Sequence, residues 1–88
     1  MEIKIDKSFQ KDTRRIKDRT ILQKIAITIA NVQRAQDLQE IKNLRKLKGT
    51  ASMYRIRIGE YRLGILVEEN TLIFIRFLHR KDIYKFFP

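Results

Sequence analysis

The chain has 88 residues, 43% of them hydrophobic, and 20 Lys and Arg against 10 Asp and Glu give a formal net charge of +10. That length suits one domain with one core and leaves no room for a second. With no cysteine there is no disulfide framework and no thiolate zinc site, and so large a positive surplus points to a polyanion, nucleic acid first, as the partner.

The N-terminal "MEIKIDKSFQ" lacks the apolar core of a leader peptide, and no stretch approaches the roughly 18 apolar residues of a membrane span. The expectation is a soluble, unprocessed cytoplasmic protein. Its basic residues continue into strands and gather on no single helix face, so a membrane surface is the weaker partner.

In chain order, "EIKID" (2–6) alternates and reads as a short strand. Asp6 or Ser8 can cap a first helix over 8–18, a polar, basic stretch with Phe9 and Ile16 on one side. Asp18 can cap a second, 19–36, where Ile21, Leu22, Ile25, Ile29 and Val32 recur at helical spacing. The two make a helix hairpin. Residues 37–52 read as a connection anchored by Leu44 and Leu47 and ended by Gly49.

Three strands follow. Met53–Ile58 sets Tyr54, Ile56 and Ile58 on one face and Arg55 and Arg57 on the other. Gly59–Glu60 suits a type II′ turn into Tyr61–Val67. Glu69–Asn70 turns the chain into Leu72–Leu78, apolar on both faces as a central strand is. "HRKDIYKFFP" (79–88) reads as a short turn or helical stub ending at Pro88. The fold class is α+β in the order β-α-α-β-β-β: a small antiparallel sheet with the helix hairpin on one face. Arg55, Arg57 and Arg62 form a basic floor on the other.

The chemistry is bounded by what is missing. One histidine and no cysteine exclude a His/Cys metal site, and the scattered acids, with no pair at metal-binding spacing, argue against a two-metal nuclease. "GEYRLG" is a strand turn rather than a phosphate loop, so no cofactor is implied. A protein so equipped can still cleave RNA, which carries its own nucleophile in the 2′-OH. It must position the phosphate, neutralise the charge on its oxygens and handle two protons. Arginine binds phosphate bidentately, while Tyr and His move protons or stack on bases. Arg62, Arg80, His79 and Tyr84 supply such a set if the C-terminal stub folds back beside the sheet. Each has a plainer reading. Arg55 and Arg57 suit a solvated strand face, His79 a surface position and Tyr84 a core aromatic beside Phe86 or Phe87. Arg76 reads as structural.

The string "LKG…YRIRIGEYRLGI…FLHRKDIYKFF" resembles the RelE/ParE superfamily of bacterial type II toxins, over essentially the whole chain and most specifically from Leu47 to Phe87. The resemblance to the RelE-like branch implies a ribosome-dependent mRNA endonuclease that uses the 2′-OH and no metal. It implies Arg62 and Arg80 for phosphate and transition-state charge, Tyr84 for base stacking or proton transfer, and His79 as acid or base. Arg55 and Arg57 would bind the RNA backbone, and Lys42, Lys46 and Lys48 would add ribosomal RNA contacts. Some RelE-like toxins carry lysines where this chain has Arg55 and Arg57. Arginine cannot give up its proton to act as a base, so that task would pass to Tyr84 or His79. A cognate antitoxin protein is the second implied partner. The ParE-like branch, which keeps the fold but poisons DNA gyrase, implies the alternative function, and a non-cleaving ribosome binder is a third.

Overall fold

A computed structural model describes residues 1–87; Pro88, where the C-terminal stub was expected to end, lies outside them. Strand β1 (Glu2–Ile5) leads into helix α1 (Lys7–Arg14), and of the two candidate caps it is Asp6 whose carboxylate accepts from the Ser8 N–H, at 3.0 Å. α1 stops short of the expected boundary because Asp18 belongs to the next helix. Its carboxylate accepts from Thr20 and Ile21 at 2.8 and 3.4 Å at the start of α2 (Arg19–Arg34). Ile25 and Val32 of α2 face the sheet and are buried, whereas Leu22, assigned to that apolar face from its spacing, is 40% exposed.

The expected connection holds more structure than its sequence shows. Leu38–Glu40 forms a 3₁₀ turn, and Leu44–Lys46 forms a short strand, β2, paired with the next one. The strands β3 (Met53–Ile58), β4 (Tyr61–Glu68) and β5 (Thr71–His79) follow as an antiparallel meander. Gly59 takes a positive φ of 57°, which a hairpin turn of the II′ kind demands of its first residue.

The α+β class and the helix hairpin are as expected; the sheet is not purely antiparallel. It has five strands in the order β1-β5-β4-β3-β2, and β1 runs parallel to β5. Alternation in "EIKID" marks a strand but not its partner or direction. The helices supply the crossover that a parallel pairing needs, so β1 lies along the far edge of β5.

α1 and α2 cover one face, where Phe9, Ile25 and Val32 pack on Ile56, Ile58, Leu63, Ile65, Leu72, Phe74 and Phe77. Phe9 meets Phe74 and Phe77 edge-on at 5.5 and 6.3 Å, and Tyr61 stacks on Phe77 at 5.0 Å. Helix α3 (Arg80–Phe86) turns back onto the opposite face, over β4 and β5. Ile83 and Phe87 are buried there. That is the folding back which the proposed residue set required.

Candidate nucleic-acid interface and active site

Strand register builds the floor. β3–β4 pairing sets Arg57 opposite Arg62 and Arg55 opposite Gly64, while β2 brings Arg45 opposite Arg55. Residues directly opposite share a sheet face, so Arg45, Arg55, Arg57 and Arg62 stand together on the face that α3 partly covers. Like charges set opposite one another disfavour the fold. An anion would relieve them.

Arg62 is the most constrained of the four. Its Nη1 donates to the carbonyls of Gly59 and Tyr61, both at 2.9 Å, while its Nε is buried with no partner. Burial, followed by the nearby charge of Arg55 and then those of Arg57 and Arg80, lowers the Arg62 pKa; only a tyrosinate at Tyr84 would act the other way. Arg62 is therefore a fixed, partly desolvated cation close to Arg55, Arg57, Arg80 and Tyr84.

Arg80 starts α3. Its backbone N–H donates to the Glu60 carbonyl at 2.8 Å, and its Nε pairs with the Glu60 carboxylate at 2.8 Å. Both side chains are well exposed, so the pair contributes little to stability and a phosphate can compete for the guanidinium.

Tyr84, read on its own as a core aromatic, is 65% exposed. It borders a cleft of about 400 Å³ together with Lys46, Leu47, Lys48, Arg55 and Phe87. Apolar Leu47 and Phe87, the exposed Tyr84 ring and three cations line it together, which suits a nucleotide better than a purely ionic ligand. A smaller hollow of about 120 Å³, lined by Asn43, Arg45, Arg55 and Arg57, lies along the same face.

Two expected residues stand elsewhere. His79 pairs across the sheet with Tyr61, on the helix-hairpin side, and its ring meets Tyr61 edge-on at 5.8 Å. Its Nδ1 accepts the Lys81 N–H at 3.1 Å and so caps α3. Alternation along β5 and β4 turns His79 away from Arg62, so it does not join the set as acid or base. Lys42 borders hollows beside α2, with Asn31 and Arg34 in one and Thr28 and Arg57 in another, apart from the Tyr84 cleft. Lys46 and Lys48 do reach that cleft.

Arg76 is structural, as read from the sequence. It forms a bidentate pair with Asp12, Nε to Oδ2 at 2.8 Å and Nη2 to Oδ1 at 3.2 Å. Arg45 and Glu60 were missed. Arg45 was hidden because its segment read as a connection, and Glu60 because a turn residue does not advertise its partner. Among the described residues no group of three or more His, Cys, Asp or Glu is placed to hold a metal ion, and no helix is long and apolar enough to cross a membrane.

Comparison with known proteins adds to this geometry. Residues 3–84 match the family model described as ParE toxin of type II toxin-antitoxin system, parDE. The chain is 40% identical, over the full length of both, to Toxin RelE3 of Methanocaldococcus jannaschii. It superposes on the crystal structure of a RelB-RelE antitoxin-toxin complex from Methanococcus jannaschii with a TM-score of 0.82 at 40% identity, over 97% of this chain and 99% of the other. A YoeB dimer from Staphylococcus aureus shares the fold at 21% identity, with a TM-score of 0.73 over 91% of this chain and 97% of that one.

Proposed function

The chain belongs to the ParE toxin family of type II toxin-antitoxin systems, within the RelE/ParE superfamily, and we propose that it is a ribosome-dependent, metal-independent mRNA endonuclease that shuts down translation. The observation carrying this reading is Arg62: a cation held by the carbonyls of its own turn, on one face with Arg55 and Arg57 and near Arg80 and an exposed Tyr84. An electrostatic centre that gains by meeting developing negative charge is what phosphodiester cleavage requires.

In this mechanism the mRNA backbone lies along the floor, with Arg45, Arg55, Arg57, Lys46 and Lys48 on its phosphates. The 2′-OH attacks the adjacent phosphorus, forming an O–P bond. The bond to the 5′-oxygen breaks, leaving a 2′,3′-cyclic phosphate and a 5′-hydroxyl. Arg62 and Arg80 neutralise the phosphoryl oxygens as charge builds on them. Tyr84 stacks on the base beside the scissile bond and passes protons between the 2′-oxygen and the departing 5′-oxygen. With His79 on the opposite face, Tyr84 is the one side chain of the set suited to that exchange. The ribosome supplies mRNA held in an extended form.

A cognate antitoxin follows from the same reading. Solved RelB-RelE complexes are antitoxin-toxin pairs, and an acidic segment laid on the arginine floor would neutralise it. An antitoxin that bound elsewhere and left Arg62 and Tyr84 open would contradict this mode of control.

The test is cell-free translation with purified protein and primer-extension mapping of mRNA ends. The expected result is new ends at A-site codons that require ribosomes and fall by about 100–1000-fold in Arg62→Ala, the usual loss when a transition-state donor is removed. Intact mRNA with normal translation would reject the reading. Loss of gyrase supercoiling would then support the ParE-like alternative, which the name of the matched family model favours. Intact mRNA with stalled ribosomes would leave a binder without chemistry.

A further inference from the structure

We propose that Gly64 is a positioning residue for Tyr84: its bare α-carbon is the seat of the Phe87 ring, and that seat holds α3 over the arginine floor. The proposal deepens the nuclease reading above and rests on it for Tyr84's role.

Gly64 lies inside β4, opposite Arg55 on one side and Arg76 on the other. Its backbone needs no glycine, since the glycines with positive φ among the described residues are Gly49 and Gly59. Glycine within a strand weakens it and marks a bulge or a close approach; the β4–β5 register shifts between Gly64 and Ile65, and a close approach is present as well. Here a Cβ would stand 2.7, 2.8 and 2.9 Å from Cδ2, Cγ and Cε2 of Phe87, closer than real atoms pack. The close approach is therefore by one ring, and the gap between two arginine positions is filled by it.

The ring's burial decides how α3 sits. Phe87 is 3% exposed and Ile83, one turn earlier, 1%, while Tyr84 is 65% and Phe86 58% exposed. The Phe87 N–H donates to the Ile83 carbonyl at 2.8 Å, so the ring stays in helical phase with Ile83. One side of α3 thus plugs into the sheet and the other presents Tyr84. At seven residues α3 is too short to hold its shape alone. Its anchors are tertiary: Ile83 and Phe87 are both buried, and Phe87 is seated on Gly64. Phe87 and Tyr84 both border the cleft, so unseating the ring moves the cleft wall and the functional ring together.

The experiment pairs Gly64→Ala with the compensating double variant Gly64→Ala/Phe87→Leu. Two readouts are taken: amide hydrogen exchange resolved by residue, and ribosome-dependent cleavage. In Gly64→Ala the expected result is lost protection at 81–87 with protection of β3, β4 and β5 retained. Cleavage falls about 100-fold, the scale of a small misplacement at a reacting centre. The leucine keeps a Cγ and Cδ atoms but loses Cε2 and the rest of the ring, and recovers both only in part. Unchanged protection of α3 in Gly64→Ala overturns the proposal, as does loss of protection throughout the sheet, which would make the effect general packing. If the wild-type protein itself does not cleave mRNA, the nuclease reading fails, and the exchange data alone decide whether Gly64 seats α3.

Discussion

Asp12 of α1 grips both Arg76 and the backbone of the residue after it: its Oδ2 accepts from Arg76 Nε at 2.8 Å and from the Phe77 N–H at 2.9 Å. The geometry has a simple cause. β1 accompanies β5 only from Thr71 to Phe74, so beyond that point the edge of β5 has no strand beside it. The Asp12 carboxylate substitutes for the missing ladder. Arg76 also lies over the Phe86 ring at 5.6 Å, so the same pair links α1 on one face to α3 on the other.

Asp12→Ala therefore strands a donor and a cation together and is expected to lower stability by about 2–4 kcal/mol, below the upper end for fully buried pairs because Arg76 keeps some solvent. Asp12→Asn, which still accepts from Phe77, loses less. Urea unfolding measures both. Hydrogen bonding to Asp12 raises the Arg76 pKa, against partial desolvation. A base with a raised folded pKa loses its contribution only as pH climbs through that value, which for Arg76 lies above arginine's already strongly alkaline range. The arginine side of the pair should accordingly add no pH dependence near neutrality.

His79 offers the sharpest test of face assignment. His79→Asn keeps a short acceptor for the Lys81 N–H and should leave mRNA cleavage unchanged within error. His79→Ala removes the cap and should cost about 0.5–1 kcal/mol in thermal unfolding. A loss of cleavage in His79→Asn with full stability would mean that the histidine reaches the reacting phosphate after all.

Arg45, unforeseen in the sequence, should count as one phosphate contact. Anisotropy titrations of a single-stranded RNA oligomer over a range of salt concentrations should show the log–log slope of Arg45→Ala shallower by about 0.7. An Arg34→Ala control, on the α2 side, should keep the wild-type slope.

The lowered Arg62 pKa carries a sign. A base whose folded pKa is depressed destabilises the fold at every pH where it is charged, so at pH 7 the floor stands at a cost that an anion should relieve. Phosphate at about ten times its Kd should add about 1.4 kcal/mol to unfolding stability. The gain should shrink in Arg62→Gln. Equal responses to phosphate and chloride at matched ionic strength would show that no anion site exists there.

The strands from Met53 onward were legible because alternation fixes which side chains of one strand share a face, and the two-residue Gly59–Glu60 turn, by setting the register, put Arg62 with Arg55 and Arg57. The same rule separates His79 from them: Tyr61 lies on the core face of β4 and pairs with His79, a relation that needs register as well as alternation. β2 escaped notice because three residues are too few for a period to register. Gly64 gave no sign of its role, since a glycine's seat is visible only once the ring it receives has been placed.

The parallel pairing of β1 with β5 has a consequence for synthesis. Glu2 finds its partner at Thr71 and Asp12 finds Phe77, so the N-terminal strand and helix wait, unpaired, while most of the chain is made. α3 and its tyrosine follow β5, and Phe87 follows α3. In chain order the cationic strands thus precede both the helix that brings Tyr84 to their face and the ring that seats it.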